Sequence, residues 1–155
     1  MSVRAAEPAD VGVIVELLRA QAAEQGDDTA IDEASLHGAL FGSAPTAAHA
    51  DVAVDDATGA LVGATVWFPT FSTYLARAGI YLQDLYVRPA HRRDGHGHAL
   101  MGALAARTSG RVEWSVVDGN DRADRFYRSL GAHPHTGWTT YHWTPNGSGT
   151  DQRHG

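Results

Sequence analysis

The sequence predicts an α/β or α+β sandwich in which helices cover a mixed β-sheet. Three observations carry that prediction. The periodic segments run strand, two helices, three strands, helix, strand, helix, strand. "ADVAVDD" and "ALVGATVWF" flank a turn around Gly59 and read as an antiparallel hairpin. "IYLQDLYV" is followed by a loop, a helix and "RVEWSVV", a strand–helix–strand crossover of the kind that joins parallel strands. The 155 residues fit one domain, expected over 1–144, with a polar, glycine-rich tail at 145–155 expected to be disordered.

The elements follow in order. Residues 3–6 form a short strand. In 7–26, Val11, Ile14, Val15 and Leu18 recur at helical spacing, with Pro8 or Asp10 as start and Gly26 as stop. "DEASLHGALFG" (32–42) is a second, shorter helix. The hairpin strands cover 50–56 and 60–68, and 69–79 reads as a loop rich in aromatics. Residues 80–87 form a strong strand, 88–97 a loop, 98–109 a helix and 111–117 a strand. Residues 118–131 form a helix capped by Asp118 or Asn120 and stopped at Gly131. "GWTTYHW" (137–143) reads as a closing strand.

Composition narrows the function classes. A hydrophobic content of 43% allows a core without staples. The absence of cysteine excludes disulfides, thiolate metal sites and a cysteine nucleophile, and it fits a cytoplasmic location. The N-terminal residues lack the pattern of a signal peptide, and no run of about 18 apolar residues suggests a membrane span. A net charge of −6 argues against a nucleic-acid partner held by phosphate neutralisation.

The stretch "RRDGHGHALM" (92–101) carries the chemistry. It places two glycines where a helix begins, and the first N–H groups of a helix have no intrahelical acceptor. Gly95 and Gly97 let an anion approach the backbone closely, and Arg92 and Arg93 add fork donors. Together these features suggest a pyrophosphate cradle. The Rossmann fingerprint fails because its third glycine is Leu100, and a Walker A loop fails because Gly-Lys-Ser/Thr is absent. His91, His96 and His98 raise a metal reading, but no carboxylate arrangement completes them in the sequence, so no metal is expected. A plain glycine turn is the alternative reading of the whole stretch.

With its flanks, the stretch resembles the acetyl-CoA-binding segment of the GNAT superfamily of N-acetyltransferases. The family's R/Q-x-x-G-x-G/A motif stands here as Arg92-x-x-Gly95-x-Gly97. Residues 110–132 resemble the second half of the same fold, with N-x-x-A-x-x-F-Y-x-x-x-G at Asn120, Ala123, Phe126, Tyr127 and Gly131. "FSTY", "GIYLQDLYV" and "EWSV" are similar to the diamine, spermidine and thialysine acetyltransferase branch.

The resemblance implies a central sheet of six to seven strands flanked by about four helices. It implies acetyl-CoA as co-substrate, a small-molecule primary amine as acceptor, and a homodimer that could exchange its last strand. The pantetheine arm would pair with the backbone of Leu85, Tyr86 and Val87. The pyrophosphate would rest on the N–H groups of Arg92, Arg93, Asp94, Gly95, His96, Gly97 and His98, and Asn120, Tyr127 and Arg128 complete the expected cofactor contacts. The amine would attack the thioester directly, a backbone N–H near Leu85 would stabilise the oxyanion, and Tyr127 would protonate the departing thiolate. Packing is the competing reading of Phe126 and Tyr127, and helix capping that of Asn120.

The chain departs from the family in one place. The polyamine-like branch carries Y-L-E-D, with the glutamate as expected base, whereas this chain has Gln83. A carboxamide accepts no proton at neutral pH. Asp84, Glu113 or a histidine are the candidate replacements, although strand alternation points Asp84 away from the side of position 83. The substrate site is expected around Gln83, Asp84, Trp67, Phe71, Tyr74, Tyr81, Trp114 and Trp138, with core or dimer packing as the alternative for the aromatics. Glu24, Asp27 and Asp28 could attract a second positive group or form a solvated helix end. Competing readings of the whole chain are a protein or peptide acetyltransferase, an acyl-CoA sensor without catalysis, and a plain nucleotide-binding module. Trp138, Tyr141 and Trp143 are candidate interface residues.

Overall fold

The computed structural model describes residues 1–146, so most of the expected tail lies outside the described residues. The chain divides into two compact units, residues 1–119 and the segment from Asn120 onward. The first unit holds β1 (Ser2–Ala5), α1 (Val11–Glu24), α2 (Glu33–Phe41), β2 (His49–Val54), β3 (Leu61–Ser72), β4 (Arg77–Val87), α3 (His96–Ala105) and β5 (Val112–Glu113). The strands form one sheet in the order β1-β2-β3-β4-β5. The first four pair antiparallel, and β4 pairs with β5 in parallel through the α3 crossover.

Local chemistry sets the helix ends. A 3-10 turn at Pro8–Asp10 leads into α1, whose Val11, Ile14, Val15 and Leu17 are buried, while Leu18 of the predicted stripe packs at the margin. α1 stops at Gly26, which takes φ +71°. Asp27 N–H reaches Ala22 O at 2.9 Å and Gly26 N–H reaches Ala23 O at 3.1 Å, closing a Schellman motif. Asp32 caps α2 by accepting from Ser35 N–H at 2.7 Å. The α1 and α2 stripes bury Ala50, Val52, Ala64, Val66 and Tyr86 on one face of the sheet. On the other face, Leu100 of α3 packs with Ala53 and Val62, and with Leu85 and Val87 beside them.

Three expectations are corrected. Among the described residues the sheet has five strands, not six to seven. The aromatic stretch 69–79 is mostly ladder, because β3 and β4 pair out to Ser72↔Arg77. Pro69 is tolerated there because β2 ends opposite Trp67, so this end of β3 has a partner on one side only. Finally, neither 111–117 nor 137–143 forms the full predicted strand. β5 pairs at two rungs only, and no residue of 120–146 enters a strand. The alternating aromatic pattern at 137–143 is real, but a strand also needs a ladder partner, and Trp138, Tyr141 and Trp143 remain 70%, 88% and 85% exposed.

The short β4–β5 contact is a pinch. A Cβ on Gly79 would stand 2.5 Å from Arg111 O, and one on Gly110 would stand 2.0 Å from Ala78 O. Only glycine lets the two chains enter this close. The second unit consists of α4 (Asp121–Ser129) and the segment that follows it. No described helix is long and apolar enough to cross a membrane.

Candidate active site

The pairing of β4 with β5 ends at Tyr81↔Glu113, so among the described residues β4 from Leu82 to Val87 has a strand partner only on the β3 side. A strand edge open on one side is what an extended ligand arm requires. Gln21 of α1 reaches this stretch, donating from Nε2 to Leu85 O at 3.1 Å. Sequence reading missed Gln21, because nothing local marks a helical glutamine as facing a strand 64 residues away.

Within β4 the register slips. Val66 faces Asp84 but Trp67 faces Leu82, so Gln83 is the extra residue of a β-bulge. Alternation therefore fails here. Asp84 lies on the side of Val66 and Tyr86, the face covered by α1 and α2, and Gln83 is exposed. The slip breaks the strict alternation from which opposite faces for positions 83 and 84 were expected. Asp84 is half-buried, and burial pushes its carboxyl up to about 6. Glu113, the other carboxylate considered, is exposed and accepts from Arg111 Nε at 2.7 Å.

The loop after β4 turns through a 3-10 segment at Pro89–His91 and through positive φ at Arg93 (72°) and Gly95 (87°). Gly95 is the N-cap of α3. The first α3 bond that crosses this cap runs from Ala99 N–H to Gly95 O at 3.0 Å, so the N–H groups of His96, Gly97 and His98 precede the helical ladder. Arg92 acts as a brace. Its Nε donates to Val87 O at 2.9 Å, its terminal nitrogen meets Glu24 at 2.7 Å, and its guanidinium lies 5.3 Å from the Tyr86 ring centroid. Glu24 is thereby tied to the loop, while Asp27 and Asp28 stay exposed beyond the end of α1. Arg93, Asp94 and His98 are exposed, Gly97 is half-buried and His96 is buried. Donor atoms of His91, Asp94 and His96 lie within 4.8 Å of one another, so Asp94 supplies the carboxylate that the sequence did not place beside the histidines.

The expected aromatic wall is divided. Tyr81 is half-buried, stacks on Phe68 at 5.2 Å and shares a hydrogen bond of 3.1 Å with Ser115 Oγ. Trp114 follows β5 and is half-buried. Phe71 and Tyr74 are 67% and 87% exposed at the far end of the β3–β4 hairpin. Trp67 is buried on the α3 side, stacked on His49 at 4.6 Å and under the Arg107 guanidinium at 5.1 Å. It belongs with the ion pair of the buried Asp51 and the exposed Arg107 and is not brought to the side of Asp84.

In the second unit, Asn120 caps α4 by accepting from Ala123 N–H at 3.1 Å. Gly131, at φ +89°, ends it through bonds from Ala132 N–H to Tyr127 O and from Gly131 N–H to Arg128 O. Phe126 and Tyr127 meet edge to face at 5.3 Å. Burial pushes the Tyr127 phenol up to about 12. Arg128 pairs with Asp124 one turn earlier at 2.9 Å, and Trp138 stacks on His135 at 6.0 Å.

Residues 14–132 match the Acetyltransferase (GNAT) family. A thialysine N-epsilon-acetyltransferase of Bos taurus is 30% identical over 150 residues, covering 88% of each chain. An L-ornithine N5-acetyltransferase of Arabidopsis thaliana is 37% identical over 82 residues, which are 50% of this chain and 36% of that protein. Among solved structures, an integron cassette protein of V. cholerae aligns with a TM-score of 0.74 at 22% identity, over 94% of this chain and 93% of that one.

Proposed function

Because this chain belongs to the acetyltransferase (GNAT) family and is an acetyl-CoA-dependent N-acetyltransferase acting on small-molecule amines, we propose that its acceptor is the side-chain or terminal primary amine of a thialysine-, ornithine- or diamine-like molecule. The observation that carries this reading is the bulge at Gln83. It sets a half-buried carboxyl, Asp84, on the open stretch of β4, with an affinity for protons suited to neutral pH.

In this reading the pantetheine arm of acetyl-CoA pairs along the β4 edge at Leu85, Tyr86 and Val87, and its pyrophosphate rests on the N–H groups at the start of α3. Arg92 holds the loop in shape through Val87 O and Glu24. The acceptor arrives as an ammonium of pKa about 10 and must lose a proton before it attacks. Asp84 takes that proton. The amine nitrogen then bonds to the thioester carbon, and a backbone N–H near Leu85 stabilises the oxyanion. The C–S bond breaks, the thiolate receives a proton from Tyr127, whose burial keeps its phenol protonated across physiological pH, and the extra proton of the acylated nitrogen then leaves to restore the phenol. Gln83 orients the acceptor by hydrogen bonding. Tyr81 and Trp114 supply aromatic surface for its chain. A homodimer is part of the proposal, supported by the exposed Trp138, Tyr141 and Trp143, and light scattering on the purified protein tests it.

The test is CoA thiol release with thialysine, ornithine, putrescine and spermidine, against glycine and alanine, which carry only an α-amine. Turnover confined to the side-chain or terminal amines supports the proposal. Equal turnover of the α-amines, or release with none of the panel, refutes it. The non-catalytic sensor reading loses its main motive once a carboxyl beside Gln83 can serve as base.

A further inference from the structure

We propose that His91, Asp94 and His96 form a binding site for a divalent metal ion of the zinc, cobalt or nickel class, set into the loop before α3. The three residues lie within six positions of the chain. His91 ends the 3-10 turn, Asp94 sits in the turn that follows, and His96 is the first residue of α3. Their donor atoms lie within 4.8 Å of one another. Ligands about 2.0–2.2 Å from a tetrahedral zinc stand about 3.3–3.5 Å apart, so rotations of the two outer side chains by about 1 Å close the set.

The second observation is His96 itself. It is 5% exposed, and its Nδ1 is buried with no hydrogen-bond partner among the described residues. A buried imidazole nitrogen left unpaired costs about 1–3 kcal/mol, and coordination removes that cost. A solvated loop histidine would carry no such debt, and His98, two residues on, is exposed and outside the cluster.

The donor set decides the kind of ion. Two neutral imidazoles and one carboxylate suit zinc, cobalt and nickel, whereas magnesium and calcium favour all-oxygen sites. Three protein ligands leave one tetrahedral position for water or an anion. A further carboxylate stands nearby on the turn after β2. Asp55 is held below the usual carboxylate range chiefly by Ala57 N–H and the Thr58 hydroxyl, and His91 and His96 contribute to the same field. Its negative charge favours a cation at the cluster without occupying it. The proposed acetyl-transfer chemistry has no step for this ion. Asp94 and His96 also belong to the segment proposed to hold pyrophosphate, so metal and acetyl-CoA affinities are expected to be coupled reciprocally.

The test needs no acetyl-CoA and is independent of the acyl-transfer reading. Chelator-stripped full-length protein is titrated with ZnCl2 by calorimetry and with CoCl2 by visible absorption. We expect one saturable site of micromolar affinity or tighter, with a cobalt d–d band. His91→Ala and Asp94→Asn, both at exposed or half-exposed positions, are each expected to weaken binding at least about tenfold and to abolish the band while the circular dichroism spectrum is kept. His98→Ala is expected to leave both readouts unchanged. Absence of saturable binding overturns the proposal. So does binding that survives His91→Ala and Asp94→Asn, because the ion would then sit on other histidines.

Discussion

Replacing Asp84 by Asn tests whether this residue is held ready to accept a proton. Burial raises its carboxyl from the ordinary 3.8 to about 6. A raised acid pKa means that the folded chain binds the proton more tightly than the unfolded chain. Below about pH 4 both states carry it and Asp84 has no effect on stability. Between about pH 4 and 6 the unfolded chain releases the proton first, so stability falls as pH rises, and the deficit is complete above about pH 6. At about 1.4 kcal/mol per tenfold in proton affinity, the ceiling is about 3 kcal/mol, and solvent at this half-buried site trims it to about 1–2 kcal/mol. Asp84→Asn abolishes that pH-dependent deficit. Its Tm relative to the parent should therefore rise by roughly 3–6 °C on going from pH 4 to pH 8. In the same variant kcat should drop about a hundredfold or more, and the rising limb of kcat/KM near pH 6 should vanish. Comparing two pH values removes the constant cost of burying an amide. If the Tm difference is the same at both, the carboxyl is not desolvated. If the kcat/KM limb survives, another group is the base.

The remaining predictions concern the cradle, the acid and the strand pinch. Tyr127→Phe should lower kcat about a hundredfold while leaving the acetyl-CoA dissociation constant within about twofold, as read by stopped-flow turnover and calorimetry. Gly95→Trp should weaken acetyl-CoA binding at least about tenfold, since φ of +87° disfavours any side chain and an indole would cover the helix N-terminus. Arg92→Ala should also weaken acetyl-CoA binding, and Glu24→Gln should reproduce part of the loss because it frees the same brace; unchanged affinity in both would remove Arg92 from the site. Gly110→Ala should destabilise the protein by about 2 kcal/mol or more in urea denaturation, because its Cβ would stand 2.0 Å from Ala78 O.

What the sequence revealed was the local part. Gly26 at the end of α1, Asn120 at the start of α4 and the β2–β3 hairpin rest on residue types that act within a few positions, and each formed where expected, whereas α3 starts at His96, two residues before the expected 98. The site's decisive geometry rests on relations between distant segments. A bulge is a mismatch of register between two strands, and neither "TVWF" nor "YLQDLY" carries a glycine or proline to announce it. Arg92 has the composition of a phosphate ligand, but its partner is Glu24, 68 residues away, so its bracing role could not be read from the loop. The predicted closing strand failed for a similar reason. Alternating aromatics describe a surface suited to pairing, whereas pairing itself depends on a free edge elsewhere.

The slip between β3 and β4 also bears on how such chains drift over time. Where a strand alternates regularly, a side chain exchanged at one position has no stand-in, because its neighbour looks the other way. Here the extra residue suspends that rule, so under the proposed chemistry an amide at position 83 is tolerated as long as the carboxylate at 84 is kept. An inactive descendant of this chain would be recognised by the loss of Asp84.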